Sequence, residues 1–160
     1  MKQALALLAV LLLVAGSGLA APQAQAAEFS PAQLKGFPRD SLSIVRRDGR
    51  DDFHIWIADT SERQQQGLMF LQELPADYGM LFPLREPRVI TMWMKNTYVA
   101  LDMVFIGDDG RITGIAANAT PLSTDTISSN VPVRAVLELK AGEAARRGIH
   151  SGDRVQHALF

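Results

Sequence analysis

Apolar and polar positions alternate in short runs along most of this chain. Leu42 and Ile44 alternate with Ser43 and Val45, and Phe53, Ile55 and Ile57 alternate with His54 and Trp56. A period of two places alternate side chains on opposite faces of a strand. Between these runs lies Arg47-Asp48-Gly49-Arg50-Asp51, and Asp-Gly between alternating runs predicts a hairpin turn. The same logic joins Leu101–Ile106 to Arg111–Ala116 through Gly107-Asp108-Asp109-Gly110. Further strands are predicted at Met80–Leu84, Val89–Met94, Arg134–Leu139 and Arg154–Leu159. Pro83 lacks a backbone N–H, which points to an edge strand or an early end.

Two stretches break the alternation. Asp59 to Gly67 predicts a short helix, with Asp59 or Thr60 as N-cap, Glu62 or Arg63 in the first turn and Gly67 as the stop. Gly142 to Gly148 predicts one or two helical turns. Thr120–Pro132, rich in Ser, Thr, Asp and Pro, is the longest expected loop. Many short strands with turns between them imply a mainly β (α+β) domain, a compact antiparallel sheet or barrel, closed or nearly closed, with two short helices.

The N-terminus changes the domain count. Lys2 precedes an uncharged apolar run from Ala4 to Ala15, small residues follow, and Ala24-Gln25-Ala26 supplies an A-x-A site. This is the layout of a cleaved secretory signal peptide over residues 1–26. The run is short of the roughly 20 residues that span a bilayer, so no stable membrane span is expected after cleavage, and the protein is expected to be periplasmic or secreted. Residues 27–40 read as a leader segment and residues 41–160 as one domain.

The chain has no cysteine, which removes disulfides, thiolate nucleophiles, Cys metal sites and a lipobox anchor. Loss of Lys2 leaves 15 basic and 17 acidic side chains, a net of −2. They are scattered rather than clustered, which is not the footprint of a nucleic-acid binder.

The most abrupt change of character falls at Met92-Trp93-Met94-Lys95-Asn96-Thr97, where apolar bulk gives way to an amine, an amide and a hydroxyl. With Thr60-x-Glu62-Arg63-x-x-Gly67-Leu68-Met69, Leu74-Pro75, Gly79-Met80-Leu81-Phe82, Leu101-Asp102-Met103, Phe105, Pro121, Val136-Leu137-Glu138 and Gly152-Asp153, it forms an ordered set of motifs. From about Ser41 to Leu159 the chain resembles the DUF192 family, small and often exported bacterial and archaeal proteins of unassigned function. The chain departs from that pattern at Leu71, where members commonly carry Arg, and at Ala100, where they commonly carry Pro. The resemblance implies a compact, mainly β fold with short helices; it implies no activity, cofactor or substrate.

Three kinds of chemistry are open to these residues. A binding site for a small polar or anionic ligand, or for a partner segment, is expected at the rim around Lys95, Asn96 and Thr97, with Arg63 and Asp102 assisting and Trp56, Trp93, Tyr78 and Tyr98 as recognition surface. Met92 and Met94 share a strand face, and thioethers are soft ligands that select Cu(I); His54 is a further candidate there, while buried methionines also serve simply as core filler. Glu62, Asp102 and Glu138 near Lys95 are raw material for hydrolase-type acid–base work, or for structural ion pairs with Arg63 or Lys95. No G-x-S-x-G is present, and the three histidines lack paired metal-ligand spacing, so no metal site of that kind is expected.

Overall fold

The computed structural model describes residues 29–160; the signal-peptide reading of residues 1–26 lies outside them. After a 3-10 turn at Ala32–Leu34, the chain runs through β1 (Arg39–Arg46), β2 (Gly49–Ile57), α1 (Ser61–Gln66), β3 (Tyr78–Arg88), β4 (Thr91–Met92), β5 (Leu101–Ile106), β6 (Ile112–Ala119), β7 (Ile127–Ser128), β8 (Val133–Lys140), α2 (Glu143–Arg147) and β9 (Arg154–Gln156). The fold is mainly β with two short helices. Among the described residues, no helix is long and apolar enough to cross a membrane.

The expected antiparallel, closed or nearly closed barrel is corrected in two respects. Seven strands form one mixed sheet in the order β6-β5-β8-β3-β2-β1-β9, while β4 and β7 form a separate two-stranded ribbon. β2 and β3 run parallel, His54 opposite Tyr78 through Ile57 opposite Leu81. A parallel pair needs a crossover, and the segment containing α1 supplies it. The two edges, β6 and β9, meet at a single bridge, Arg111 with Arg154. β9 is only three residues long, too short to zip that contact into a ladder, so the sheet stays open.

Pro83 lies in a strand that is internal in the sheet order, but at its own position β3 has an open edge on one side, because β2 pairs with β3 only as far as Leu81. Beyond that point the Pro83 carbonyl accepts from the Gln64 side chain of α1 at 2.9 Å. The missing N–H faces the same way and costs no ladder bond. Order also starts earlier than the alternation suggests: Leu34 and Phe37 are buried and β1 begins at Arg39.

Each face of the sheet is covered. On the first, Trp56, Met80, Phe82, Met103, Phe105 and Val136 pack with Leu68, Leu71 and Leu74 from the stretch after α1. On the second, Ile44, Phe53, Ile55, Val104, Leu137 and Leu139 pack with Ala144 and Ile149 around α2. All six residues of β5 are therefore buried, each large apolar side chain contributing about 1.5–3 kcal/mol. Met80, Met94 and Met103 are buried on the first face and Met92 packs against them, the filler role that methionine's flexibility suits.

α2 is fastened by charge. Glu143 receives Arg146 and Arg147, and Arg147 also reaches Asp51 and the Ala76 carbonyl. The Arg146 hydrogen bond holds the Glu143 carboxyl below its ordinary range. That stabilisation is present above the usual carboxylate pKa and is lost as pH falls through the depressed one.

Candidate functional site

The segment after β4 builds the site. β4 ends at Met92, and the chain then turns: the Met94 N–H donates to the Ser123 carbonyl and the Thr97 N–H donates back to Met94. Met94 is buried in the core, Met92 packs against it, and Trp93 points outward, half exposed. Asn96 takes a left-handed φ of 57°, which Asn tolerates better than most side chains. Its amide donates to the Met69 sulfur at 3.9 Å and its carbonyl accepts from Phe70 N–H. The loop is thereby stitched to the chain that follows α1.

Gly67 ends α1 with φ 48°. A side chain there would sit 3.3 Å from the Phe82 ring, so glycine permits both the turn and the close approach. Between this turn, β3 and the β4 segment lies a cavity of about 320 Å³, within the size range of small-ligand sites. Its apolar wall includes Leu68, Met69, Phe82, Met92 and Trp93; Lys95 and Thr97 line it from the loop, Arg88 from the end of β3, and Glu138 from β8.

Three polar groups set its electrostatics. Lys95 is exposed, with its ammonium 5.5 Å from the centre of the Trp93 ring. Arg88 is exposed too, and neither cation has a carboxylate partner among the described residues. Glu138 is 5% exposed and its side chain makes no hydrogen bond or ion pair among the described residues. Burial alone pushes its carboxyl up to about 8, so at neutral pH it is mostly an uncharged acid that donates a proton as well as accepting one.

The other expected site residues fall elsewhere. Arg63 bonds Asp59 and the Gly36 carbonyl and lies over the Phe37 ring, tying down the N-terminal segment. Asp102 is fully buried on the opposite face of the sheet, accepting the N–H groups of Asn118 and Ala144 at 2.9 and 3.0 Å. Glu62 is exposed on α1, its carboxyl held low by hydrogen bonds to its own N–H and to Thr60. Glu62, Asp102 and Glu138 thus occupy three separate places, and the expected ion pairs of Asp102 or Glu138 with Arg63 or Lys95 do not form. Only Met92 of the Met92/Met94 pair lines the cavity, and His54 lies against Tyr78, outside it. Among the described residues, no three His, Asp or Glu side chains cluster as a metal site. The residue sequence reasoning missed is Arg88, read as part of a connector; its signal was only that it lies a few residues before Met92.

Among the described residues, six large apolar side chains are exposed: Phe70, Val89, Trp93, Tyr98, Leu122 and Val131. All lie on or beside the segments that frame the β4–β7 ribbon. Phe70 and Leu122 have φ of 65° and 63°, a conformation unfavourable for side chains of this kind, and Leu122 N–H is held by the Thr97 carbonyl. Leu122→Gly is expected to raise stability by roughly 0.5–1 kcal/mol, the relief of strain exceeding the entropy added to the unfolded chain. A rise in the urea midpoint would show this, whereas a fall would mean that the Leu122 side chain carries packing.

The fold and cavity define a class: a small α+β domain whose mixed sheet carries a ligand-sized recess beside a hydrogen-bonded loop. Within that class the chain belongs to the DUF192 family (Uncharacterized ACR), whose model matches residues 43–157. A solved protein from Sinorhizobium meliloti 1021, carrying the provisional description of transcription regulator, is 40% identical, with a TM-score of 0.76 over 78% of this chain and 97% of that one. A protein of unknown function from Novosphingobium aromaticivorans DSM 12444 is 39% identical, with a TM-score of 0.76 over 84% of this chain and 94% of that one. No functionally curated protein matches.

Proposed function

We propose that the domain is a binding module whose cavity takes a small anionic ligand between Lys95 and Arg88 at the mouth, with Thr97 inside. The observation that carries this reading is a pair of cations, without a carboxylate partner among the described residues, on a recess whose one carboxyl, Glu138, is largely neutral at pH 7. Positive charge without local compensation, beside an apolar wall, favours an anion with a small body. The export signal read in residues 1–26 supports placing this site in the periplasm or outside the cell.

A partner segment is the second reading. The exposed Phe70, Trp93, Tyr98 and Leu122 favour it, because aromatic anchors dominate recognition surfaces.

Calorimetric titration with inorganic phosphate and with acetate tests the first reading. Lys95→Ala and Arg88→Ala are each expected to weaken anion binding roughly tenfold, the worth of one charge-assisted hydrogen bond. Both are exposed and form no ion pair among the described residues, so the melting temperature should hardly move. Equal binding by the double variant, or no anion binding by the wild type, would contradict the proposal.

A further inference from the structure

Glu138 lies at the centre of the sheet and its surroundings limit what it can meet. Across the strands, its partners are Met80 in β3 and Met103 in β5, both completely buried. Neither thioether is a useful partner for a carboxyl. Asp102, next to Met103, points to the other face. From β3 the remaining lining groups are Phe82 and Arg88; from β4 and its loop they are Thr91, Met92, Trp93, Lys95 and Thr97; from the end of α1 come the amides of Gln64, Gln65 and Gln66. The charged groups around the recess are thus Lys95 and Arg88, and no second acid is among them. A nine-tenths-buried carboxyl with no partner among the described residues and an open recess in front of it is an unfilled hydrogen-bonding position.

We propose, building on the binding reading above, that the cavity takes an organic carboxylate with an apolar body, whose carboxylate accepts a hydrogen bond from the protonated Glu138 carboxyl. An O–H donor to a carboxylate oxygen makes a short, strong, charge-assisted bond. The negative charge lies toward Lys95 and Arg88, and the hydrocarbon lies against Leu68, Met69, Phe82 and Met92. A phosphate would carry more charge into the same apolar recess, at greater desolvation cost. A cationic ligand would require Glu138 to ionise while Lys95 and Arg88 repel it. The rise of the Glu138 pKa to about 8 agrees with a carboxyl kept as a donor at neutral pH.

The same chemistry is offered by a free aryl or alkyl acid and by a peptide terminus ending in an apolar residue. Calorimetry with 3-phenylpropanoate and with N-acetyl-glycyl-phenylalanine separates the two sources by affinity, with 3-phenylpropanamide as the uncharged control. The carboxylates are expected to bind at neutral pH and the amide is not. Because only the protonated form of Glu138 binds, affinity should fall about tenfold per pH unit above about pH 8, and Glu138→Gln should bind within about threefold of wild type at pH 7 and stay flat to about pH 9.5. Affinity that rises with pH, or loss of binding in Glu138→Gln, would overturn the proposal by making Glu138 an anionic partner. A pH-independent wild type would overturn it by removing Glu138 from the contact. If phosphate binds through Lys95 and Arg88 but 3-phenylpropanoate binds no better than acetate, the carboxylate inference falls while the anion site stands. If no anion binds at all, both fall.

Discussion

Glu138→Gln is expected to stabilise the domain by about 3 kcal/mol at pH 7, an unusual result for a substitution in the middle of a sheet. Burial raises the Glu138 carboxyl from its ordinary 4.5 to about 8. Below the ordinary value both folded and unfolded chains hold the proton, and the group makes no difference to their balance. As pH rises between the two values, the unfolded chain releases its proton to water and the folded chain keeps it. Stability then falls by about 1.4 kcal/mol per pH unit, and the loss levels off above about pH 8. Gln has nearly the same shape and no charge to release, so the variant should be flat across this window. The carboxyls held low, Glu143 and Asp52 among them, act with the opposite sign and at lower pH, so they do not mask the effect. Urea midpoints of both proteins from about pH 5 to 8.5 measure it. A wild type as flat as the variant would show that Glu138 ionises freely in the folded protein.

Asp102→Ala is expected to do the reverse, costing roughly 3–4 kcal/mol. The two oxygens of Asp102 accept from Asn118 and from Ala144. The Ala144 N–H belongs to the first turn of α2 and is buried. Truncation orphans both donors, each worth about 1–3 kcal/mol when left unpaired, and opens a cavity as well. Asp102→Asn keeps an acceptor for one of the two and should lose about half as much. The folded fraction of either variant should bind anions as the wild type does, because Asp102 faces α2 and not the cavity. Weakened binding by fully folded Asp102→Asn would mean that the two faces of the sheet are coupled.

These two carboxyls show how far the sequence can be read. Both stand in apolar runs, Leu101–Ile106 and Val136–Leu139, and local pattern gives no reason to separate them. The β5–β8 register pairs Asp102 with Leu139 and Met103 with Glu138. That one-residue offset sends the acids to opposite faces, one into a satisfied pair of bonds and the other to the floor of a recess. Register between strands distant in sequence is not written in either strand alone. Features with local causes were legible: the hairpins through Arg47–Asp51 (the turn itself at Arg47-Asp48, with Gly49 opening β2) and Gly107–Gly110, the Thr60 cap, and the stops at Gly67 and Gly148. The parallel β2–β3 pair and the open edge at β9 were not, because both follow from where the crossover lands. The turn into Lys95–Thr97 was visible as a loss of apolar bulk, and Lys95 and Thr97 do line the cavity. Arg88 was hidden because β3 continues past an irregular register between Pro83 and Arg88, where the sequence shows only Pro and charge.

The most direct test is the titration of Glu138 itself, followed by its side-chain carboxyl carbon resonance in the folded protein, free and with 3-phenylpropanoate. A buried, unpartnered acid facing the cavity predicts a midpoint near 8 in the free protein, moved higher when the carboxylate binds. A midpoint in the ordinary carboxylate range, or one that the ligand leaves unchanged, would contradict the assignment of this cavity as the binding site.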